Sequence, residues 1–486
     1  MGEGGSTAFP RLAPASAAAA SLRTRPALDD RPPVGIVHLG IGAFARAHQA
    51  LHTVRALEHE PGPWGICGVA PRRRAAIDAL APQDGLYAVV ERRADGDTAE
   101  VLALLRGVIP GAEAPARIAD PAVHVVTLTI TERGYPRDGA GGLADDDAIR
   151  ADLAGEAAPV TALGQLTRGL QARMENGEAG GITVISCDNV PRNGRVLERL
   201  VQDFCARLPG REGEALTDWV SAHVRFPCTM VDRVVPTPSP RDRETVRRLL
   251  AVDDHAAVAG EPFSQWVLED AFAGPRPAWE LGGVQIVADS APWELLKLRL
   301  LNASHCGLAY LGGPHGATTV EEALRLDAVA GAVRHLLLDD LAPTVPAPPG
   351  VSVEGYVEEF LARFANPRLG HPLQQIAADG SEKLAARIFP AARERLRAGE
   401  EPHWIALVVA AWARHVDGGP GPEVRDAHAP RLREALVSAD GASPERRAAA
   451  FLGVREVFGE ELGESPVFRA LVADGLARLD AGEPES

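Results

Sequence analysis

Four short apolar runs with β-branched character stand out in the first half of the chain: Val34 to Leu39, Gly65 to Val69, Val123 to Ile130 and Ile182 to Ser186. Near-continuous apolar runs of this length are what a parallel strand buried on both faces requires. Between them lie stretches with helical spacing, such as Ala45 to Glu58 and Arg72 to Leu80. Strand and helix in alternation predict βαβ units and a doubly wound parallel sheet, an α/β domain. From about Pro292 the pattern changes to Leu, Ala, Arg and Glu at a 3.6-residue period: Trp293 to Leu311, Thr319 to Asp339, Val353 to Phe364 and Trp404 to His415. A mainly α-helical C-terminal domain is expected there, with Leu341 to Gly350 and its four prolines as an internal loop. Residues 1–33 are rich in Ala, Pro, Gly and Arg, so a flexible N-terminal arm is expected before packing begins at Val34. The expected organisation is an arm over 1–33, a sheet domain over 34–290 and a helical substrate and catalytic domain over 291–486.

Length and composition narrow the function. At 486 residues the chain needs two or three hydrophobic cores, and 46% hydrophobic with 24% charged residues is ordinary globular usage. A net charge of −16 disfavours nucleic acid and anionic lipid as partners and leaves small molecules open. Five scattered cysteines, none in a C-x-x-C pair, point to a reducing, cytoplasmic setting and away from disulfides or structural zinc. No run approaches the roughly 18 apolar residues of a membrane span. The Ala- and Ser-rich stretch Ala13 to Leu22 lacks a preceding basic region and does not read as a secretion signal.

The first chemical signal follows the first strand. Gly40-Ile41-Gly42-Ala43-Phe44-Ala45 fits G-x-G-x-x-A and opens a helix. Gly40 would make the tight turn, Gly42 would admit a pyrophosphate to the backbone, and Ala45 would allow close helix–sheet packing, as in a Rossmann dinucleotide site. The helix N-terminus adds amide donors and a favourable dipole. The acidic residue expected after the second strand to hold ribose hydroxyls is missing. Arg72, Arg73 and Arg74 stand near that point instead, and either grip a 2′-phosphate, favouring NADP, or form a solvated helix start.

The second signal is scarcity. Of 50 basic residues only Lys297 and Lys383 are lysine, leaving 48 arginines. An ammonium can lose its proton inside a protein and a guanidinium cannot, so both positions are candidate working amines. Lys297, Asn302 and His305 fall at roughly 0°, 140° and 80° on one helix at about 100° per residue, so they share a sector. The plain alternative is the wet side of an amphipathic helix. As a site, the trio suits metal-free alcohol–ketone interconversion: a desolvated lysine accepts the hydroxyl proton as hydride leaves. Asn302, with Asn189 of Ser186-Cys187-Asp188-Asn189, would stabilise the oxyanion, and His305 would hold the substrate or orient the amine. A short-chain dehydrogenase needs Tyr four residues before its Lys, but Trp293 and Asp379 occupy those positions. Clustered zinc ligands are also lacking in the sequence.

These segments, together with Ile36 to Gln49, Thr127 to Tyr135, Phe226 to Arg233 and the K-x4-N-x2-H spacing of Lys297, Asn302 and His305, resemble the polyol-specific long-chain dehydrogenases, the mannitol dehydrogenase family. The resemblance runs from about residue 34 to 460. It implies NAD as the usual cofactor, with NADP possible, no metal, and frequently a monomer or weak oligomer. By motif it makes Lys297 the acid/base, assigns Asn189, Asn302 and His305 to catalysis, and sets Asp232, Lys383 and Gln375 against substrate. It places Gly40, Gly42, Phe44, Arg46, Glu132 and Arg72 at the cofactor. Two departures stand out. Ala45 replaces a histidine found in many relatives, and Gln375 stands where mannitol-type relatives carry Arg and uronate-type relatives resemble Gln. The implied activity interconverts an acyclic polyol and its 2-ketose, D-mannitol and D-fructose first. D-mannonate with D-fructuronate is the alternative, and a catalytically silent nicotinamide-binding homologue is the rival of another class.

Overall fold

The computed structural model describes residues 9–70, 74–439 and 441–482. The chain divides into two compact units, Met1–Ser290 and Ala291–Ser486.

Among its described residues the first unit has thirteen strands: β1 (Thr24–Arg25), β2 (Val34–Leu39), β3 (Gly65–Ala70), β4 (Tyr87–Arg93), β5 (Gly96–Leu102), β6 (Leu105–Pro110), β7 (Val125–Leu128), β8 (Ile182–Ser186), β9 (Val224–Arg225), β10 (Thr229–Asp232), β11 (Val258–Gly260), β12 (Gln265–Glu269) and β13 (Gln285–Val287). Six form an all-parallel sheet in the order β6-β3-β2-β7-β8-β9. Renumbered within that sheet the order is 3-2-1-4-5-6, the doubly wound Rossmann arrangement, whose strand order reverses between β2 and β7. The alternation along β2 explains why both faces are covered. Val37 and Leu39 join one core with Val126, Leu128, Leu163 and Leu166, while Ile36 joins another with Leu51, Val54, Val125 and Trp266.

Two smaller sheets, β1-β5-β4-β11 and β10-β12-β13, were not legible as strands in the sequence pattern. The expected arm over 1–33 is corrected from Phe9 onward. Pro14–Ala19 is a helix, Leu12 and Ala17 are fully buried at 0% exposure, and β1 pairs in parallel with β5 through Thr24↔Val101 and Arg25↔Leu102. A run of alanines reads as flexible by composition, yet alanine is also the best helix former and packs without side-chain entropy. The expected helix Ala45 to Glu58 is two, Ala43–Ala47 and Gln49–His59, broken where His48 leaves helical geometry at φ −124° and ψ −80°.

The second unit is helical around one core. From Ile405 to Ala413 every residue of the helix His403–Val416 is buried, with Ile405, Val409 and Trp412 in the core, as a helix apolar on all its faces must be. Asn302–Gly312 is buried from Ala303 to Gly312 and packs against Leu373–Ala377, Gly380–Arg387 and His403–Val416. Two turns widen into π-helix, Lys297–Leu301 and Leu336–Leu341. The second carries the helix into the stretch expected as a loop from Leu341.

Candidate functional site

In the first unit the candidate residues lie just after the carboxyl ends of β2, β7 and β8. Gly40 follows β2 with φ +90°, and a Cβ there would meet the Thr129 carbonyl oxygen at 2.2 Å. Only glycine fits that turn on both counts. Gly42 differs: its φ is −86°, it is exposed, and an added Cβ would have only the Gly40 oxygen, 3.7 Å away. The space over Gly42 is open toward whatever approaches the helix Ala43–Ala47. These features fit a pyrophosphate cradle: a turn that only glycine can make, then an uncovered backbone leading into a helix.

The loop is held from below by a buried polar chain. His38 Nδ1 and Nε2 lie 2.7 and 2.8 Å from the hydroxyls of Thr127 and Thr129, and Thr129 donates to the Gly40 carbonyl at 2.8 Å. Burial lowers the His38 pKa to about 4, so the ring is neutral at ordinary pH. Phe44 stacks on His48 at 4.9 Å. Arg46 is buried, donates to the carbonyls of Gly42 and Ala256, and sits over the Tyr87 ring, so its guanidinium is committed to the loop's own framework.

A second brace joins the loops after β7 and β8. Asp188 accepts from the amides of Ile130 at 3.0 Å and Thr131 at 2.8 Å and from the Tyr135 hydroxyl at 2.7 Å. Thr131 has φ +63° and ψ 164°, a strained geometry for a β-branched residue that costs about 1–3 kcal/mol and persists because Asp188 over-determines it. The brace presents Glu132, exposed on the next turn, and Asn189, exposed beside Asp188. Asn193 Nδ2 donates to the Asp188 carbonyl and to both oxygens of Thr229, each at 3.1 Å, fixing the start of β10, whose last residue is the buried Asp232. Arg72 lies outside the described residues.

In the second unit the π-turn begins at Lys297, which is buried at 7% exposure. A π-turn fits more residues into each turn, so each advances by less than the assumed 100°, and the sector drawn from ideal helix geometry does not carry over angle by angle. The side chains are nonetheless not on a wet face: His305 is 8% exposed, and Asn302 is half-buried. His305 stacks on Phe364 at 4.5 Å and meets His371 edge-on at 5.1 Å. Its pKa is pushed well below the ordinary value, first by burial and then by His371, Arg387, Arg363 and Lys297. A neutral imidazole results, and its Nε2 has no hydrogen-bond partner. A buried polar nitrogen left open in this way costs free energy unless a ligand answers it. Lys383 Nζ donates to the carbonyls of Gln375 at 3.1 Å and Ile376 at 3.0 Å, so the structure brings these two expected substrate residues together. Burial lowers the pKa of Lys383, and Arg387 adds to the effect.

Sequence reasoning missed His38, Asp188, Asn193, His371 and Arg387. Asp188 and Asn193 flank Asn189 and were within reach of a local reading; His371 and Arg387 come from distant segments and gave no signal. Among the described residues no three His, Cys, Asp or Glu side chains gather so as to hold a metal ion, and no helix is long and apolar enough to cross a membrane.

Comparison with known proteins adds a lineage. The chain matches the family models for the mannitol dehydrogenase Rossmann domain over residues 34–281 and the mannitol dehydrogenase C-terminal domain over 289–480. It is 38% identical to the D-mannonate oxidoreductase of Escherichia coli, covering 91% of this chain and 93% of that one. It is 36% identical to a mannitol 2-dehydrogenase of Pyrenophora tritici-repentis, over 92% of this chain and 80% of the relative. Among solved structures it is similar to the Pseudomonas fluorescens mannitol 2-dehydrogenase in ternary complex with NAD and D-mannitol, with a TM-score of 0.79 and 33% identity over 95% of this chain and 94% of the other.

Proposed function

Because the chain belongs to the mannitol dehydrogenase family, and so to the oxidoreductases, we propose that it interconverts a secondary alcohol of an open-chain polyol or sugar acid with the corresponding ketone, using NAD. The observation that carries this reading is the pairing of a buried Lys297 with a neutral, buried His305 whose Nε2 is unanswered.

Gly40, Gly42 and the start of the helix Ala43–Ala47 would hold the dinucleotide's phosphates, with Phe44 and Glu132 beside them. NAD held there would supply the hydride acceptor for alcohol oxidation and, as NADH, the hydride donor for ketone reduction. Lys297 takes the hydroxyl proton in the oxidising direction and gives it back in the reducing one. His305 Nε2 meets a substrate hydroxyl, and its neutrality keeps it from adding a second positive charge beside the lysine. Asn302 donates to the oxygen as it gains charge, the effect that commonly contributes most to such barriers, and the family resemblance gives Asn189 the same kind of role. Asp232, Gln375 and Lys383 orient the remainder of the substrate. All five cysteines are buried and unpaired, in keeping with a reducing, cytoplasmic setting.

The test is a panel of hexitols, pentitols and aldonates followed at 340 nm with NAD and with NADP. Turnover of one or more hexose-derived substrates is expected. Cofactor binding without absorbance change across the panel would instead identify a silent homologue.

A further inference from the structure

The tripeptide Gly370-His371-Pro372 leads from the loop after Val353–Phe364 into the helix Leu373–Ala377. A residue before proline is confined to extended backbone, and the main chain around His371 is pinned besides. The His371 carbonyl accepts from the Val320 amide at 3.0 Å, Pro372 bridges Thr319 in antiparallel fashion, and the Leu373 amide donates to the Thr318 carbonyl at 2.9 Å. Thr319 in turn caps the helix Val320–Leu324 through the Glu322 amide. His371 therefore projects from a fixed mount. Its half-buried ring meets His305 at 5.1 Å with the two planes 80° apart. Phe364 lies nearly parallel to His305, at 4.5 Å and 22°, and is itself backed by the buried Phe360 at 5.4 Å.

We propose that His371 is a positioning residue for the reaction: standing across His305 while Phe364 lies along it, it fixes the plane of the His305 ring so that the open Nε2 keeps one direction. This rests on the reading that His305 Nε2 meets a substrate hydroxyl. The outer torsion of a histidine is broad and roughly two-fold, so the side chain does not choose a ring plane by itself. Hydrogen bonding at the ring ordinarily makes that choice, and the buried Nε2 of His305 has no partner to do so. Two aromatic neighbours at nearly right angles to one another's approach take over the task. Turning the imidazole would break the parallel stack on Phe364 and change its edge-on fit to His371, both preferred arrangements for aromatic rings. The surrounding charges keep the contact one between neutral rings. Burial lowers the pKa of His371 and Lys383 adds to the effect, while His305 is lowered by burial and then by His371, Arg387, Arg363 and Lys297. A binding atom held to one direction in advance does not have to be ordered when the substrate arrives, and small errors of placement are costly in rate.

The experiment is a double-mutant cycle. With the substrate that the wild type turns over fastest in the panel of hexitols, pentitols and aldonates, kcat/KM is measured for the wild type, His371→Ala, His371→Phe, His305→Ala and the double variant His305→Ala with His371→Ala. Crystal structures of His371→Ala and His371→Phe read the His305 ring plane directly. In His371→Ala, kcat/KM should fall by about 10-fold or more, with the His305 ring turned or disordered and NADH affinity unchanged within about 2-fold. His371→Phe keeps an aromatic edge and should recover most of the loss, with the ring back in its wild-type plane. In the His305→Ala background the same alanine should cost less than about 2-fold, because a residue acting through His305 has nothing left to act on. An equal fall in both backgrounds overturns the proposal and makes His371 a direct substrate contact. It is overturned as well if His371→Ala leaves the His305 plane unmoved, or if its only effect is a lowered melting temperature. No turnover by the wild type across the panel would overturn the reading of His305 as a substrate ligand, and the crystal structures separate that outcome from a failure of ring positioning alone.

Discussion

The proposed phosphate cradle of the first unit would offer main chain to a ligand, whereas the Lys297 helix of the second would offer side chains. At Gly40 and Gly42 the side chain is absent, and the conformation is fixed by what lies beneath, His38 through Thr129 to the Gly40 carbonyl. At Lys297 and His305 the main chain is ordinary helix interrupted by one π-turn, and the working atoms stand at the ends of side chains whose state is set by burial and by neighbouring charges. A glycine loop therefore fails through its shape. A helix-borne amine fails through its chemistry, with the fold left standing.

That difference can be broken most forcefully at Lys297. Lys297→Ala should lower kcat by roughly 10²- to 10⁴-fold, the usual worth of a general acid/base, while the melting temperature stays near that of the wild type. A collapse of stability in place of turnover would erase the contrast. Gly40→Ala should do the opposite and damage fold and dinucleotide affinity together. The left-handed φ and the 2.2 Å clash cost about 1–3 kcal/mol or more, read as a lowered denaturation midpoint and a weaker NADH fluorescence titration.

The support beneath the loop has its own signature with pH. Burial holds His38 near pH 4 in the folded chain, against an ordinary value of 6.5, and does the same to His52 on the nearby helix Gln49–His59, whose ring bonds the Gly282 carbonyl. Between those two values the unfolded chain binds more protons, so stability is complete above about pH 6.5 and is lost as pH falls toward 4. Each histidine contributes up to about 3 kcal/mol to that loss. Urea midpoints measured from pH 7.5 to 4 should fall accordingly, and His38→Asn should flatten part of the slope. The smallest effect is expected at Gly42→Ala. With no neighbour closer than 3.7 Å the fold should tolerate the methyl, while dinucleotide affinity drops about 10-fold because the methyl occupies the ligand's approach. Unchanged affinity there would take Gly42 out of the cradle.

Much of this was legible from residues alone where a pattern had length and two-sided burial behind it. β2 and β8 coincide with the runs Val34–Leu39 and Ile182–Ser186, because strands covered on both faces must be apolar throughout and glycine or polar residues mark their ends. The helix Val353–Phe364 likewise matches its periodic stretch. β10, β11 and β13 are three or four residues long, too short for any period to declare itself. The lysine count pointed to Lys297 and Lys383, since rarity of a titratable group survives any uncertainty in geometry. Arg387 was invisible for the complementary reason: one guanidinium among 48 carries no statistical mark. The π-turn was equally hidden, because a hydrophobic period measured at 100° per residue assumes the regularity that such a turn breaks.

The segment from Phe9 to Arg25 has a practical corollary for anyone engineering this chain. Cutting at Val34, where composition suggests a harmless trim, would strip the covering strand from β5 and bare the apolar hollow that Leu12 and Ala17 plug, turning a closed margin into an adhesive one. A purification handle is better carried at a shortened leader that spares these residues than spliced directly onto the first strand of the large sheet.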